Sequence, residues 1–174
     1  MKDILNRFCS KDGFRPSISE PWSRGTYSYA TNGHVICRVP RQEDISERDD
    51  APGAVDKMFD IPAPAEWFPL ADMKIPKEKM VECSECEDGK IQHEECQDCD
   101  GHTCENCNGT GKVSQAMTPV AVGNTHFQGV YLRILKDLPD CKLGPHADLM
   151  GCAVFMFDGG DGLLMPMKAF EGRE

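Results

Sequence analysis

The sequence predicts an α+β protein, a body of β-hairpins and amphipathic helices interrupted by a small cysteine-rich insert. Three observations lead there. Asn32-Gly33 and Asp158-Gly-Gly-Asp-Gly162 are each flanked by strand-forming residues. The segments 2–8 and 128–138 repeat apolar residues at helical spacing. Six of the ten cysteines fall between Cys83 and Cys107. A chain of 174 residues with 40% hydrophobic content suffices for one ordinary core plus an insert, since a domain typically takes about 100–200 residues. The expected division is a body over 1–80 and 113–174, with the insert at 81–112.

From the start of the chain, Ile4, Leu5 and Phe8 share a face of a short helix over Lys2 to Phe8, which Gly13 ends. Tyr27, Tyr29, Val35, Ile36 and Val39 form a hairpin from Thr26 to Val39. Asn32-Gly33 supplies the positive φ angles of a two-residue turn, which pairs Tyr29 with Ile36 and Ser28 with Cys37. Residues 40–53 are too charged for core and read as a loop, followed by a helical turn from Ala54 to Phe59. Prolines break the stretch from Ile61 to Leu70, where Trp67 and Phe68 serve as anchors.

After the insert, Thr118 to Val122 reads as a strand, Gly123-Asn124 as a turn and Gln128 to Leu138 as a helix. Tyr131, Ile134, Leu135 and Leu138 line its apolar face, and Pro139 stops it. A second hairpin joins Cys152 to Phe157 with Leu163 to Met167 through a glycine-rich, flexible tip. Pro166 makes its second strand an edge.

The insert contains three Cys-x-x-Cys pairs, Cys83/Cys86, Cys96/Cys99 and Cys104/Cys107, and glycines follow the first and third at Gly89, Gly109 and Gly111. Two thiolates three residues apart, with a small residue beyond, let the backbone curl under one metal. Two such turns complete a tetrahedron, the arrangement of a zinc site. His93-x-x-Cys96-x-x-Cys99-x-x-His102 leaves a second, Cys₂His₂ zinc site chemically open. Cys9, Cys37, Cys141 and Cys152 are scattered singly and read as buried thiols.

The chain begins Met1-Lys2-Asp3 with no apolar stretch behind a basic start, and nowhere runs 18 apolar residues together. The expectation is a soluble cytoplasmic protein with no membrane partner, where paired cysteines favour metal over disulfide. The formal net charge of −10 is uneven: residues 82–112 carry nine acids against two lysines, whereas residues 1–41 carry seven bases against three acids. An insert of that sign repels phosphate, so any contact with nucleic acid falls to Arg7, Lys11, Arg15, Arg24, Arg38 and Arg41. No nucleophile pattern, phosphate-cradling glycine loop or calcium loop occurs. A site closed by four sulfurs leaves no position for substrate, so the expectation is not an enzyme.

Two resemblances extend this reading. Cys104-Glu-Asn-Cys107-Asn-Gly-Thr-Gly111 resembles the Cys-x-x-Cys-x-Gly-x-Gly repeat of DnaJ-type co-chaperones, and Cys83-Ser-Glu-Cys86-Glu-Asp-Gly89 resembles it loosely, with Asp88 and Lys90 breaking the alternation. In that family the outer repeats share one zinc ion, which implies Cys83, Cys86, Cys104 and Cys107 as one ligand set. Outside the insert, Tyr29-Ala-Thr-Asn-Gly-His34, Tyr131-Leu-Arg-Ile-Leu135 with Leu138-Pro139, and Gly162-Leu-Leu-Met-Pro-Met167 resemble, in that order, motifs of the bacterial DNA polymerase III sliding clamp. That resemblance implies one clamp-like domain, a curved antiparallel sheet backed by two helices. A bacterial clamp strings three such domains in a basic-lined ring, so the function does not transfer with the fold.

The function expected is a non-enzymatic accessory protein of DNA replication, recombination or repair, phage- or prophage-encoded, that binds a protein of the DNA-processing machinery or nucleic acid. Two alternatives belong to other classes. One is a DnaJ-like protein-binding module. The other is an acidic DNA mimic that inhibits a nuclease or clamp loader.

Overall fold

The computed structural model describes residues 1–11, 15–48, 50–52, 55–77, 80–91, 101–105, 107, 109–114 and 119–167. In chain order the elements are α1 (Lys2–Asn6), β1 (Trp22–Arg24), β2 (Tyr27–Thr31), β3 (Val35–Pro40), α2 (Val55–Met58), β4 (Phe68–Pro69), β5 (Met80–Glu82), β6 (Lys90–Ile91), β7 (His102–Thr103), β8 (Lys112–Ser114), β9 (Pro119–Val122), β10 (Thr125–Gln128), α3 (Gly129–Lys136), β11 (Lys142–Gly144), β12 (Ala153–Phe157) and β13 (Gly160–Leu164). The chain forms two compact units. One is a body made of Met1–Ile75 and Pro119–Glu174. The other is Pro76–Thr118, wider at both ends than the 81–112 expected.

The body is α+β. Its seven-stranded sheet runs β1-β2-β3-β13-β12-β11-β4, with every neighbouring pair antiparallel. The same order occurs twice, α1 followed by β1, β2 and β3, then α3 followed by β11, β12 and β13, and the two meanders meet where β3 pairs with β13.

Strand alternation sorts side chains onto the two faces. Along β3, Val35, Cys37 and Val39 join the larger core with Leu5 and Phe8 from the α1 region, Leu132 and Leu135 from α3, and Phe155 from β12. Both helices therefore cover one face. Ile36 points the other way, into a second cluster with Trp22, Tyr29, Val55 and Leu163. On that face the Arg38 guanidinium lies 3.8 Å from the Phe59 ring centre. It also forks onto the Asp161 carboxylate at 2.8 and 2.9 Å.

The first hairpin differs from expectation by two residues. Tyr29 faces Arg38 and Thr31 faces Ile36. The central turn residues are Gly33 and His34, with Gly33 at φ +93°, while Asn32 keeps a negative φ and its Oδ1 accepts the backbone N–H of His34 and Val35. A side-chain acceptor at the first turn position thus displaces the pairing. A two-residue slip preserves the faces, so Tyr29 and Ile36 still share one cluster.

At the second hairpin only Asp158 and Gly159 form the turn, and Gly160, Asp161 and Gly162 belong to β13. A Cβ on Gly162 would come 2.1 Å from the Phe155 ring and 2.2 Å from the Ile36 carbonyl oxygen. That glycine serves close packing rather than flexibility. Since β13 lies between β3 and β12, it is central, and Pro166 follows its end rather than marking an edge.

α1 ends at Asn6, earlier than expected, and Gly13 and Ala54 lie outside the described residues. Within the charged 40–53 segment Ile45 is buried. α3 runs from Gly129 to Lys136, shorter at both ends than the expected Gln128 to Leu138, and Thr125–Gln128, of which the expected elements cover only Gln128, pairs with β9 as β10. Among the described residues no helix is long and apolar enough to cross a membrane.

Candidate metal centre

The second unit is built from two similar ribbons. In one, β5 leads into Cys83 and Cys86 and, past Gly89, into β6. In the other, β7 leads into Cys104 and Cys107 and, past Gly109 and Gly111, into β8. β5 pairs with β8 and β6 with β7, so each ribbon enters and leaves beside the other. The turns also exchange hydrogen bonds. The Cys83 N–H donates to the Gly111 carbonyl and the Cys104 N–H to the Gly89 carbonyl, both at 2.8 Å.

The glycines are required by this close crossing. Gly89 adopts φ +89°, and a Cβ there would sit 2.1 Å from the Gly109 carbonyl oxygen. Asp88, which interrupts the glycine alternation of the first turn, is itself left-handed at φ +46°. Asp is one of the few side chains that tolerate that region.

These turns bring the four sulfurs of Cys83, Cys86, Cys104 and Cys107 within 4.8 Å of one another. None of the four takes part in a disulfide. The Cys83 and Cys104 sulfurs are 3.9 Å apart, and those of Cys86 and Cys107 are 3.5 Å apart. A tetrahedron with about 2.3 Å metal–sulfur bonds has edges of about 3.8 Å, so the group can hold a metal ion. Three of the four cysteines are buried and Cys86 is partly exposed.

Electrostatics within the group are unequal. Burial first, then hydrogen bonding to the Cys107, Cys83 and Cys104 sulfurs, pushes the Cys86 thiol up to about 12. Burial opposes ionisation of Cys107 too, but hydrogen bonds from the Cys86 thiol, from Gly111, from the Cys104 thiol and from Gly109 bring it down to about 7. Cys107 is thus readier than Cys86 to present a thiolate, the form that ligates metal.

Of the second constellation, His102 is exposed in β7 opposite Ile91. His93, Cys96 and Cys99 lie outside the described residues. The body cysteines are held as neutral thiols. Burial lifts Cys9 to about 11 and Cys141 to about 12, and raises Cys37 and Cys152 as well.

The six basic residues do not gather into one unpaired surface. Arg7 pairs with Asp137 at 2.9 Å beside α3, Arg24 with Asp56 at 3.6 Å and Arg41 with Glu47 at 2.7 Å. Arg38 is committed to Asp161 on the opposite sheet face from Arg7. Arg15 lies beside Gly33, and Lys11 is exposed. Nothing local in the sequence marks the Arg38 to Asp161 contact, whose members are 123 residues apart. The carbonyls of Gly89 and Gly111 also escape sequence reasoning as cross-ribbon acceptors, although the glycine positions themselves are visible.

At one end of the body three separate segments converge. His34 stacks on Tyr131 with ring centres 5.8 Å apart, and Asn32 hydrogen-bonds the Tyr131 hydroxyl. The Met165 N–H donates to the His34 carbonyl at 2.9 Å, and the Met167 N–H to the His126 carbonyl at 2.7 Å. Comparison with known proteins returned no matching protein family, no matching curated protein and no matching solved structure.

Proposed function

We propose that the chain is a non-enzymatic accessory protein of DNA replication, recombination or repair, whose clamp-like body engages a protein partner and whose acidic module is stapled by one zinc ion. The observation that carries the clamp-like reading is the convergence just described. Asn32 and His34, Tyr131, and Met165 and Met167 come from the three motifs that resemble the sliding clamp, and they meet at one end of the body. The repeated order of helix and three-stranded meander, with both helices on one sheet face, agrees with it.

Zinc is the natural occupant of four thiolates in a tetrahedron, and with all four positions taken it folds the module rather than activating water. A protein partner is favoured over DNA because Arg7, Arg24, Arg38 and Arg41 are already paired with carboxylates. The exposed Glu82, Glu85, Glu87, Asp88 and Glu105 of the module would repel phosphate.

The reading is tested by metal analysis together with DNA-binding titrations at several salt concentrations and affinity capture from bacterial lysate. One zinc per chain, weak DNA binding and recovery of a helicase, nuclease or clamp loader are expected. Tight DNA binding that falls steeply with salt would overturn the choice of partner. Recovery of unfolded clients would favour the DnaJ-like alternative instead.

A further inference from the structure

Cys86 is the most exposed of the four cysteines. Cys83, Cys104 and Cys107 are 6%, 0% and 5% exposed. Its Sγ stands 3.5 Å from that of Cys107 on the opposite ribbon. The two turns are also tied directly to one another, by the reciprocal bonds from Cys83 N–H to the Gly111 carbonyl and from Cys104 N–H to the Gly89 carbonyl, and by the pairing of β5 with β8 and β6 with β7. A sulfur that loses its bond to the ion therefore stays within reach of its partner across the module.

We infer that the centre is a peroxide-sensitive switch: oxidation begins at Cys86, closes a Cys86 to Cys107 disulfide between the two ribbons, and releases the ion. This rests on the zinc occupancy proposed above. In the first step the Cys86 sulfur, a thiolate because it serves as a zinc ligand, attacks one oxygen of hydrogen peroxide, the O–O bond breaks, and sulfenic acid and hydroxide form. The Cys107 thiolate then attacks the Cys86 sulfur, forming the S–S bond and expelling a second hydroxide. The two sulfurs together lose two electrons and peroxide gains them, while buffer acid protonates the two hydroxides to water. Only Cys83 and Cys104 remain as ligands, too few to keep zinc against water.

The geometry also says what the oxidised module is. A bond between Cys86 and Cys107 joins the two ribbons as the metal did, so the unit stays closed but loses its ion. A bond within one Cys-x-x-Cys pair would leave the ribbons unlinked. Cys9, Cys37 and Cys141 in the body are 8%, 0% and 4% exposed, and serve as internal comparators that peroxide should reach last.

The test uses the full zinc-loaded chain treated with hydrogen peroxide. Released zinc is followed with a chromogenic chelator, and disulfides are mapped by mass spectrometry of unreduced peptides. The expected result is one zinc released per chain in step with a Cys86 to Cys107 bridge as the first disulfide. Dithiothreitol should then restore uptake of one zinc. Release accompanied first by a Cys83 to Cys86 bridge, oxidation of a body cysteine before Cys86, or retention of zinc while added glutathione is oxidised would each overturn the switch with occupancy intact. A purified chain that binds no zinc overturns the occupancy itself, and the switch with it.

Discussion

Replacing Gly89 with alanine should weaken binding of the proposed zinc ion by about a hundredfold. The new Cβ would lie 2.1 Å from the Gly109 carbonyl oxygen and 2.5 Å from its carbon, so the Gly109 peptide must retreat by roughly 1 Å to reach an ordinary contact. Holding an L-residue at φ +89° adds about 1–2 kcal/mol of backbone strain. Moving either peptide loosens the bond from Cys104 N–H to the Gly89 carbonyl, or that from Gly109 N–H to the Cys104 carbonyl, at 2.8 and 3.0 Å. Each is worth about 1 kcal/mol. The total is about 3 kcal/mol, and because metal binding and folding of such a module are one process, it is subtracted from the binding free energy. At about 1.4 kcal/mol per tenfold this gives roughly two decades in Kd. Competition against a calibrated chelator measures it. Gly25 is the control: its φ is +57°, but a Cβ there has nothing within 4 Å, and it lies in the other unit. Gly25→Ala should bind zinc like the parent. A Gly89→Ala chain whose Kd stays within about threefold of the parent would refute the claim that the crossing of the two turns shapes the site.

Other expectations concern the body and the independence of the two units. Removing zinc by chelation should unfold the module while tryptophan fluorescence stays unchanged, since Trp22 and Trp67 both belong to the body; a shifted emission spectrum would contradict this. Phe155→Ala should cost about 3–5 kcal/mol in denaturant unfolding, because Phe155 is fully buried and stacked between Phe8 at 6.0 Å and Phe157 at 6.4 Å. Stability should fall as pH rises above the ordinary thiol value of 9.0. Burial lifts Cys9 to about 11 and Cys141 to about 12, and raises Tyr29 above its ordinary 10.0, so the folded state holds these protons more tightly than the unfolded state. Their contribution is complete below those ordinary values and is lost as pH climbs through the folded ones. A denaturation midpoint equal at pH 8 and pH 11 would count against it.

What the sequence determined by itself is local in origin. The Cys-x-x-Cys spacing and the glycines beyond it specify two metal-gripping turns, because ligand spacing and positive φ are properties of a few consecutive residues. The helical spacing of Tyr131, Ile134 and Leu135 marked α3, and strand-forming residues around glycine-bearing turns marked both hairpins. Only the tertiary structure decided how those pieces meet. It set the first hairpin's register through the Asn32 side chain. It made β13 a central strand by pairing it with β3, and explained Gly162 by the Phe155 ring above it. It also drew Arg38 partly out of solvent and paired it with Asp161. The physical reason is distance along the chain: pairing partners, ion pairs and glycine contacts between residues more than a hundred positions apart are chosen by packing, which no short window of sequence contains.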